Sequence, residues 1–287
     1  MITVFTPTYN RANNLERLFV SLSKQTNFDF EWLVIDDGSS DNTPQQIEQF
    51  SRQAIFPVRY YRQENGGKHR AYNLALELAA GEWFLCVDSD DWLPEDAIFN
   101  LNRFLINCSV SIVAAYKSDV NGKILSDAFP DGGQACTLSD LEFLYNCVGE
   151  FSLLFKTAYV SRFLSPTFEG ESFMTEAVVY DRMAKDGMVW LFPHIITVCE
   201  YQPDGLTSNI QRIMKNNPAG FCLYFMQRID LQKNIAKRWI TAGKYLAFCS
   251  FAKEKRSVYT GAHRLLVVLA KPLGLLFRYY YVLFRGF

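Results

Sequence analysis

Histidine is scarce in this chain, with three in 287 residues, and none of its seven cysteines belongs to a C-x-x-C pair. His69, His194 and His263 lie far apart in sequence, so a zinc site of the His/Cys type is not expected. The odd set of cysteines, at 86, 108, 136, 147, 199, 222 and 249, argues against a disulfide framework and for a reducing, cytoplasmic setting. No basic leader with an apolar stretch precedes the strand-like Met1 to Phe5, so export is not expected. Internal repeats and low-complexity tracts are missing, which excludes solenoids and tethered beads. Positive charge is not in excess either. Lys and Arg number 29 against 30 Asp and Glu, a net charge of -1, which excludes a generally basic nucleic-acid binder.

What is present can fold. With 49% hydrophobic and 15% aromatic residues, the chain can bury enough apolar surface to offset ordering entropy, in one large or two modest domains. Charge is unevenly spread. From Leu231 onward there are 11 Lys and Arg against the single acid Glu254, so residues 1–230 are net acidic.

Strand-length apolar segments alternate with helix-period segments through roughly the first 115 residues, the mark of β-α-β units on a parallel sheet with helices on its faces. Strands are expected at Ile2 to Thr6, Phe30 to Asp36, Val58 to Tyr61, Glu82 to Asp88 and Val110 to Tyr116. Leu15, Leu18, Phe19 and Leu22 recur at helical spacing. A second helix is expected to start at Thr43 as N-cap with Pro44 and Gln46, and a third to run from Ala71 to Ala80 and stop at a left-handed Gly81. Pro94, Glu95 and Asp96 open a fourth. Asn121-Gly122 suggests a hairpin turn, Ser139 and Glu142 a helix start, Met188 to Cys199 a β stretch and Pro203-Asp204-Gly205 a turn. After Pro218 the pattern is helical. The expected division is 1–115, 116–216 and 217–287.

Ligands of open parallel sheets bind beyond the carboxyl ends of the strands. Those positions are polar here: Pro7 to Arg11, Asp36 to Asp41, Asn65 to Arg70 and Asp88 to Asp91. Alternate residues of a strand share a face, so the Asp88 and Asp90 carboxylates would lie about 6–7 Å apart along the chain and repel each other. A hard divalent ion, Mg2+ or Mn2+, binds such oxygens together with substrate phosphates, so a metal-diphosphate site is expected. The alternative is a solvated acidic turn capping the helix at Pro94. Asp36 and Asp37 end another apolar run, where a carboxylate can accept a base imide N–H or can bond its own turn. In Asn65 to Arg70, two glycines beside Lys68, His69 and Arg70 suit phosphate or base-edge contacts, without Walker spacing.

These segments resemble the family 2 glycosyltransferases of GT-A fold, which invert the anomeric centre while moving sugar from a nucleotide-diphosphate donor. The resemblance rests on VFTPTYNRANNLERLFVSLSKQTNFDFEWLVIDDGSSDNT, GGKHRAYNLALELAAGEW and FLCVDSDDWL. It implies a mixed, mainly parallel sheet with helices on both faces and a helical C-terminal extension. It also implies that Thr6, Pro7 and Tyr9 line the nucleoside pocket and that Asp37 takes the uracil N3–H of a UDP-sugar. Lys68 or Arg70 then holds base or diphosphate, Asp88 the ribose and metal, and Asp90 the Mn2+ or Mg2+, with Arg11 and Ser89 also donor-binding. The family's base is usually the acid of an E-D pair opening a helix. In FEGESFMTEAVVYDRM that acid is Glu176, although Ala177 replaces the aspartate; Glu171 is second choice and Glu169 third.

The same stretch with CEYQPDGLTSN resembles the subgroup that builds capsular and exopolysaccharides, implying a glycan or polyprenyl-diphosphate-linked acceptor. The processive Q-x-x-R-W pattern is missing, since Ile235 stands where Gln would precede Arg238-Trp239, which implies addition of one sugar. A nucleotide-sugar-binding scaffold without turnover is the alternative function, suggested by Ala177. A nucleotidyltransferase would need a glycine-rich basic loop that FTPTYNRANN lacks.

In the tail, Arg264, Lys271, Arg278 and Arg285 recur every seven residues and form one basic stripe on a helix among apolar and aromatic residues. Residues 257–287 are therefore expected to dock on an anionic membrane surface, placing the protein on the inner face of the cell membrane. Spanning is not expected, because Lys271, Pro272, Gly274 and Arg278 interrupt the apolar run. A terminal helix packed on the domain, or a seam between copies in a homo-oligomer, is the alternative.

Overall fold

The computed structural model describes residues 1–130, 136–184, 187–200 and 209–287. The expected turn at Pro203-Asp204-Gly205 and most of CEYQPDGLTSN lie outside the described residues. Contacts divide the chain into two units, Met1–Leu164 with Asp186–Gln202, and Ser165–Lys185 with Pro203–Phe287.

The first unit holds one eight-stranded sheet in the order β3-β2-β1-β4-β7-β5-β8-β6. Its parallel half is β1 (Ile2–Thr8), β2 (Phe30–Asp36), β3 (Val58–Arg62) and β4 (Trp83–Cys86), joined through α1 (Ala12–Ser23), α2 (Thr43–Gln53) and α3 (Lys68–Leu78). Every residue of β1 and β2 is buried, as continuous apolar runs in a covered parallel sheet should be. Side chains alternate between the faces. Ile2, Val4, Trp32, Val34, Trp83 and Leu85 meet the Leu15, Leu18, Phe19 and Leu22 stripe of α1, and α4 (Ala97–Leu105) joins them through Ile98 and Leu101. On the opposite face, Tyr72 of α3 stands edge-on to Phe5 at 5.8 Å and Phe84 at 5.3 Å.

The other half is mixed. β5 (Ile112–Asp119) pairs antiparallel with β7 (Phe151–Lys156), which pairs antiparallel with β4. β8 (Met188–Cys199) runs parallel to β5 and is edged by the short antiparallel β6 (Cys136–Thr137). The sheet thus continues past residue 115, because Phe151–Lys156 inserts between β4 and β5, and the contact-defined units differ from the division expected at 115 and 216. The turn at Asn121-Gly122 is present, with Gly122 at φ 80.

Several local expectations are corrected. Thr43 opens α2 but does not cap it: Asp41 accepts from Thr43 N at 3.0 Å and Thr43 Oγ1 at 2.6 Å, and its carboxylate is the stronger acceptor. α5 (Leu138–Phe143) begins with a capping box of Thr137 and Asp140 rather than Ser139 and Glu142, since Thr137 ends β6 in the extended conformation an N-cap needs. α3 starts at Lys68, and Gly81 is not its left-handed cap. A Cβ at Gly81 would lie 2.4 Å from Thr3 N, so glycine is needed there for close approach to β1. The helix after Pro94 begins only at Ala97.

Between β7 and the second unit lies α6 (Thr157–Val160). The second unit contains α7 (Ala177–Met183), α8 (Ile210–Asn216), α9 (Pro218–Leu231), α10 (Ile235–Ala252), α11 (Arg264–Leu269) and α12 (Lys271–Arg285). Phe221, Phe225 and Phe248 centre its core, with Tyr281 and Phe287 packed against Phe248. α12 crosses α10 where a Cβ on Gly274 would sit 2.7 Å from Leu246 Cβ, so small residues set the distance between these helices. Among the described residues, no helix is long and apolar enough to cross a membrane.

Candidate functional site

The carboxyl ends of β1, β2 and β4 bring the expected polar segments to one rim of the first unit. Asp37 N donates to Thr8 O at 2.8 Å and Val87 N to Phe5 O at 2.8 Å, which locks the three strand ends together. Thr6 and Pro7 are buried in β1, and Trp32 Nε1 donates to Thr6 Oγ1 at 3.0 Å. Tyr9 is exposed. Thr8 is buried, and its hydroxyl has no hydrogen-bond partner.

Asp36 and Asp37 divide their work. Asp36 is fully buried and accepts from Ser39 N at 2.7 Å and Tyr60 Oη at 2.7 Å, so it ties the turn to β3. Asp37 organises the next loop. Its Oδ1 accepts from Gln63 Nε2 at 2.7 Å and Gly66 N at 2.9 Å, and its Oδ2 from Gly67 N at 2.8 Å. Gly67, at φ 96, adopts a left-handed backbone that L side chains avoid and immediately precedes α3. Gly66 leaves room for the Arg70 side chain, since a Cβ there would lie 2.3 Å from Arg70 Cδ. His69 is buried with Nδ1 unpartnered, and burial, reinforced by the Arg70 charge, pushes its imidazole down to about 4. Arg70 Nε is also buried without a hydrogen-bond partner.

The third strand end carries the acids. β4 stops at Cys86, two residues earlier than expected, and Asp88 to Asp91 form a turn closed by Asp91 N donating to Asp88 O at 3.0 Å. Lys68 Nζ lies 2.6 Å from Asp88 Oδ1. Burial raises the Asp88 carboxyl, but the Lys68 and Lys117 ammoniums outweigh it and hold the group below the usual carboxylate range. Asp90 goes the other way, raised by burial and by the Asp88 charge, with Arg11 and Lys68 opposing. Ser89 is buried between them. Asp91 is buried against Lys117, 3.4 Å away, and burial pushes it up to about 6. Among the described residues, no group of three or more His, Cys, Asp or Glu side chains is arranged to hold a metal ion. Two repelling carboxylates still match a hard cation that takes one or two carboxylates and completes its shell with phosphate oxygens.

The proposed bases lie in the second unit. Glu176 is the N-terminal flanking residue of α7 and accepts from Tyr180 Oη at 3.2 Å. Glu171 is buried, and its two oxygens accept Ala219 N at 2.7 Å and Gly220 N at 2.9 Å, capping the start of α9. The carbonyl of Glu169 receives Lys255 Nζ. Sequence reasoning gave no role to Thr8, Arg17 or Lys117. The period of α1 could not mark Arg17, because nothing in a polar helix face distinguishes one arginine from another.

A mainly parallel α/β sheet with acids and bases gathered at its carboxyl rim belongs to the nucleotide-binding class of folds. The sequence model of glycosyl transferase family 2 matches residues 3–162, and the chain belongs to that family. It is 30% identical over 146 residues to the poly(ribitol-phosphate) beta-N-acetylglucosaminyltransferase TarS of Staphylococcus aureus, covering 50% of this chain and 26% of TarS. It is 32% identical over 132 residues to the chondroitin synthase of Pasteurella multocida, covering 45% of this chain and 14% of the synthase. The chain thus spans a minor part of either relative. The crystal structure of S. aureus TarS 1-349 in complex with UDP-GlcNAc superposes with a TM-score of 0.61 at 18% identity, over 94% of this chain and 79% of that one. The mannosyltransferase PcManGT from Pyrobaculum calidifontis, in complex with GDP-Man and Mn2+, gives 0.56 at 18% identity, over 99% and 83%. At these identities the likeness speaks to the fold, which is GT-A.

Proposed function

We propose that this glycosyltransferase moves one sugar, with inversion, from a UDP-sugar to a hydroxyl of a glycan or polyprenyl-diphosphate-linked acceptor in surface polysaccharide synthesis. The observation that carries the reading is the rim itself. Asp37 shapes the Gly66-Gly67 loop, Lys68 meets Asp88, and Thr8 Oγ1, His69 Nδ1 and Arg70 Nε are buried polar atoms with no hydrogen-bond partner. Buried unpaired polar atoms are costly, and the base, ribose and diphosphate of a nucleotide supply partners for such atoms.

Tyr9, Pro7 and Thr6 form the β1 side of the nucleoside pocket in this reading, Lys68, Arg70 and Arg11 attract the diphosphate, and Ser89 and Asp88 face the ribose. Asp90 and Asp88 would hold a Mn2+ or Mg2+ ion. When bound, the ion neutralises charge on the departing nucleoside diphosphate. Glu176 takes the proton of the acceptor hydroxyl. Glu171 is the weaker candidate, because both its oxygens already cap α9. Residues 257–287 dock the protein on the anionic inner face of the cell membrane, close to a lipid-linked acceptor.

The test is thermal unfolding across a panel of nucleotide sugars with and without Mn2+, followed by nucleotide release with and without acceptor. A ligand present at 100 times its Kd adds about 2.7 kcal/mol of stability. Protection by UDP-sugars that depends on Mn2+ is expected, with release of UDP. Ala177, where the family usually has aspartate, favours one second reading, a nucleotide-sugar sensor, which would be protected but release no UDP.

A further inference from the structure

The turn that carries Asp88 and Asp90 is gripped from two sides by cations outside the expected site. On one side, Arg17 of α1 donates through Nη2 to the Asp90 carbonyl at 2.6 Å and through Nη1 to Glu200, while its guanidinium plane lies 4.0 Å over the Trp92 ring. Trp92 is itself fixed by exchanging backbone hydrogen bonds with Val198 of β8, at 3.1 and 2.8 Å. On the other side, Lys117 of β5 reaches Asp91, with side-chain exposures of 15% and 8%. Asp91 N in turn closes the turn on Asp88 O.

These contacts suit the residue types. A guanidinium can serve a carbonyl, a carboxylate and an aromatic face at once, which an ammonium cannot. Without Lys117, Asp91 would be a buried charge lacking its partner. The residues between β4 and α4 have little regular structure to hold them, yet their carboxylates must meet a diphosphate and its ion within a fraction of an ångström.

We propose that Arg17 and Lys117 are positioning residues that hold the Asp88-Ser89-Asp90 turn in the geometry that receives the donor diphosphate. Arg17 acts through the backbone carbonyl of Asp90 and through Trp92, and Lys117 through the Asp91 carboxylate. The proposal rests on the donor-site reading above.

The experiment measures binding of UDP in the presence of Mn2+ by calorimetry on the full chain, alongside thermal unfolding without ligand. Arg17→Met is expected to weaken binding about tenfold, the scale of losing a charge-assisted hydrogen bond. Its unliganded melting temperature should stay close to wild type, because Arg17 is partly exposed. Lys117→Met alone strands Asp91, so it is paired with Asp91→Asn, and that double variant should fold and also bind weakly. Arg17→Lys should stay weak, since it keeps the charge and loses the fork and the stacked plane. Full recovery of binding in Arg17→Lys would mean that charge alone acts there, and would overturn positioning. Wild-type affinity in both Arg17→Met and the double variant would overturn it too. If wild type binds no UDP, the donor-site reading fails and the clamp with it.

Discussion

Lys68 places its ammonium 2.6 Å from Asp88 Oδ1, whereas Asp90, two residues on, is raised by burial and by the charge of that same Asp88. The two acids of the motif are therefore unequal. Asp88 has a resident counter-charge, and Asp90 has more to gain from an added cation. Replacing Asp90 with asparagine is expected to lower Mn2+-dependent sugar transfer about 100-fold, the scale of losing Lewis-acid help at the leaving group. Asp88→Asn should also weaken metal binding, because it removes one acid of the pair and no longer offsets the Lys68 ammonium beside the site. Wild-type transfer by Asp90→Asn in excess chelator would dismiss the metal.

Glu171 and Glu176 separate by what each holds. Glu171 accepts two N–H groups at the start of α9, so Glu171→Gln turns an amide NH2 toward one of those donors and should lower stability by about 1–3 kcal/mol. Glu176 accepts from Tyr180 and caps nothing with its side chain. Glu176→Gln should fold normally, bind UDP as tightly as wild type and transfer sugar about 10²- to 10⁴-fold more slowly. Unfolding midpoints, UDP affinity and single-turnover rates on the two variants distinguish these outcomes. An unchanged rate in Glu176→Gln moves the base elsewhere.

His69 gives stability a pH signature. Burial, with Arg70 beside it, holds its imidazole down to about 4, against about 6.5 in an unfolded chain. Between those values the unfolded chain binds a proton that the folded chain refuses, so this contribution is complete above about pH 6.5 and is lost as pH falls toward 4. Asp91, raised to about 6 by burial, has the opposite sign over part of that window, so the comparison must be between variants. Going from pH 7.5 to 5, wild type should lose about 2 kcal/mol more than His69→Asn in chemical denaturation. Parallel pH profiles for the two proteins would contradict the buried neutral imidazole.

The parallel half of the sheet could be read directly, because Ile2 to Thr6 and Phe30 to Asp36 are apolar runs that can be satisfied only with both faces covered, and the acids that end such runs must sit at the rim. Ser139 against Thr137 could not be resolved, since both offer a hydroxyl at capping distance and only the extended backbone at the end of β6 decides. Phe151–Lys156 gave no local hint that it would separate β4 from β5, a pairing set by tertiary contacts. Lys117 was invisible for a related reason. A lysine in a strand is ordinarily a solvent-facing residue, and its burial follows from Asp91, 26 positions away in sequence.

The tail offers the last prediction. On α12, Gly274, Phe277 and Tyr281 turn toward α10 and its neighbours, while Leu275, Leu276, Tyr279, Val282 and Leu283 are exposed on the other side. At 100° per residue, Lys271, Arg278 and Arg285 fall along one edge of that outward apolar face. Leu265, Val268 and Leu269 of α11 are exposed as well. An apolar face with a cationic border fits a helix lying in the plane of an anionic membrane, where each Lys or Arg near the surface contributes about 1 kcal/mol. Replacing Lys271, Arg278 and Arg285 together with alanine should therefore weaken flotation with phosphatidylglycerol-containing vesicles by roughly 100-fold. Leu276→Glu with Leu283→Glu should abolish flotation and leave the α10–α12 contact intact, because both leucines point away from it. Binding to wild type should also fall as salt rises, since the ionic part is screened within a Debye length. Equal flotation of all three proteins would reject membrane docking. Sedimentation of wild type as a dimer that the leucine variant dissolves, without lipid binding, would assign the face to a second copy instead.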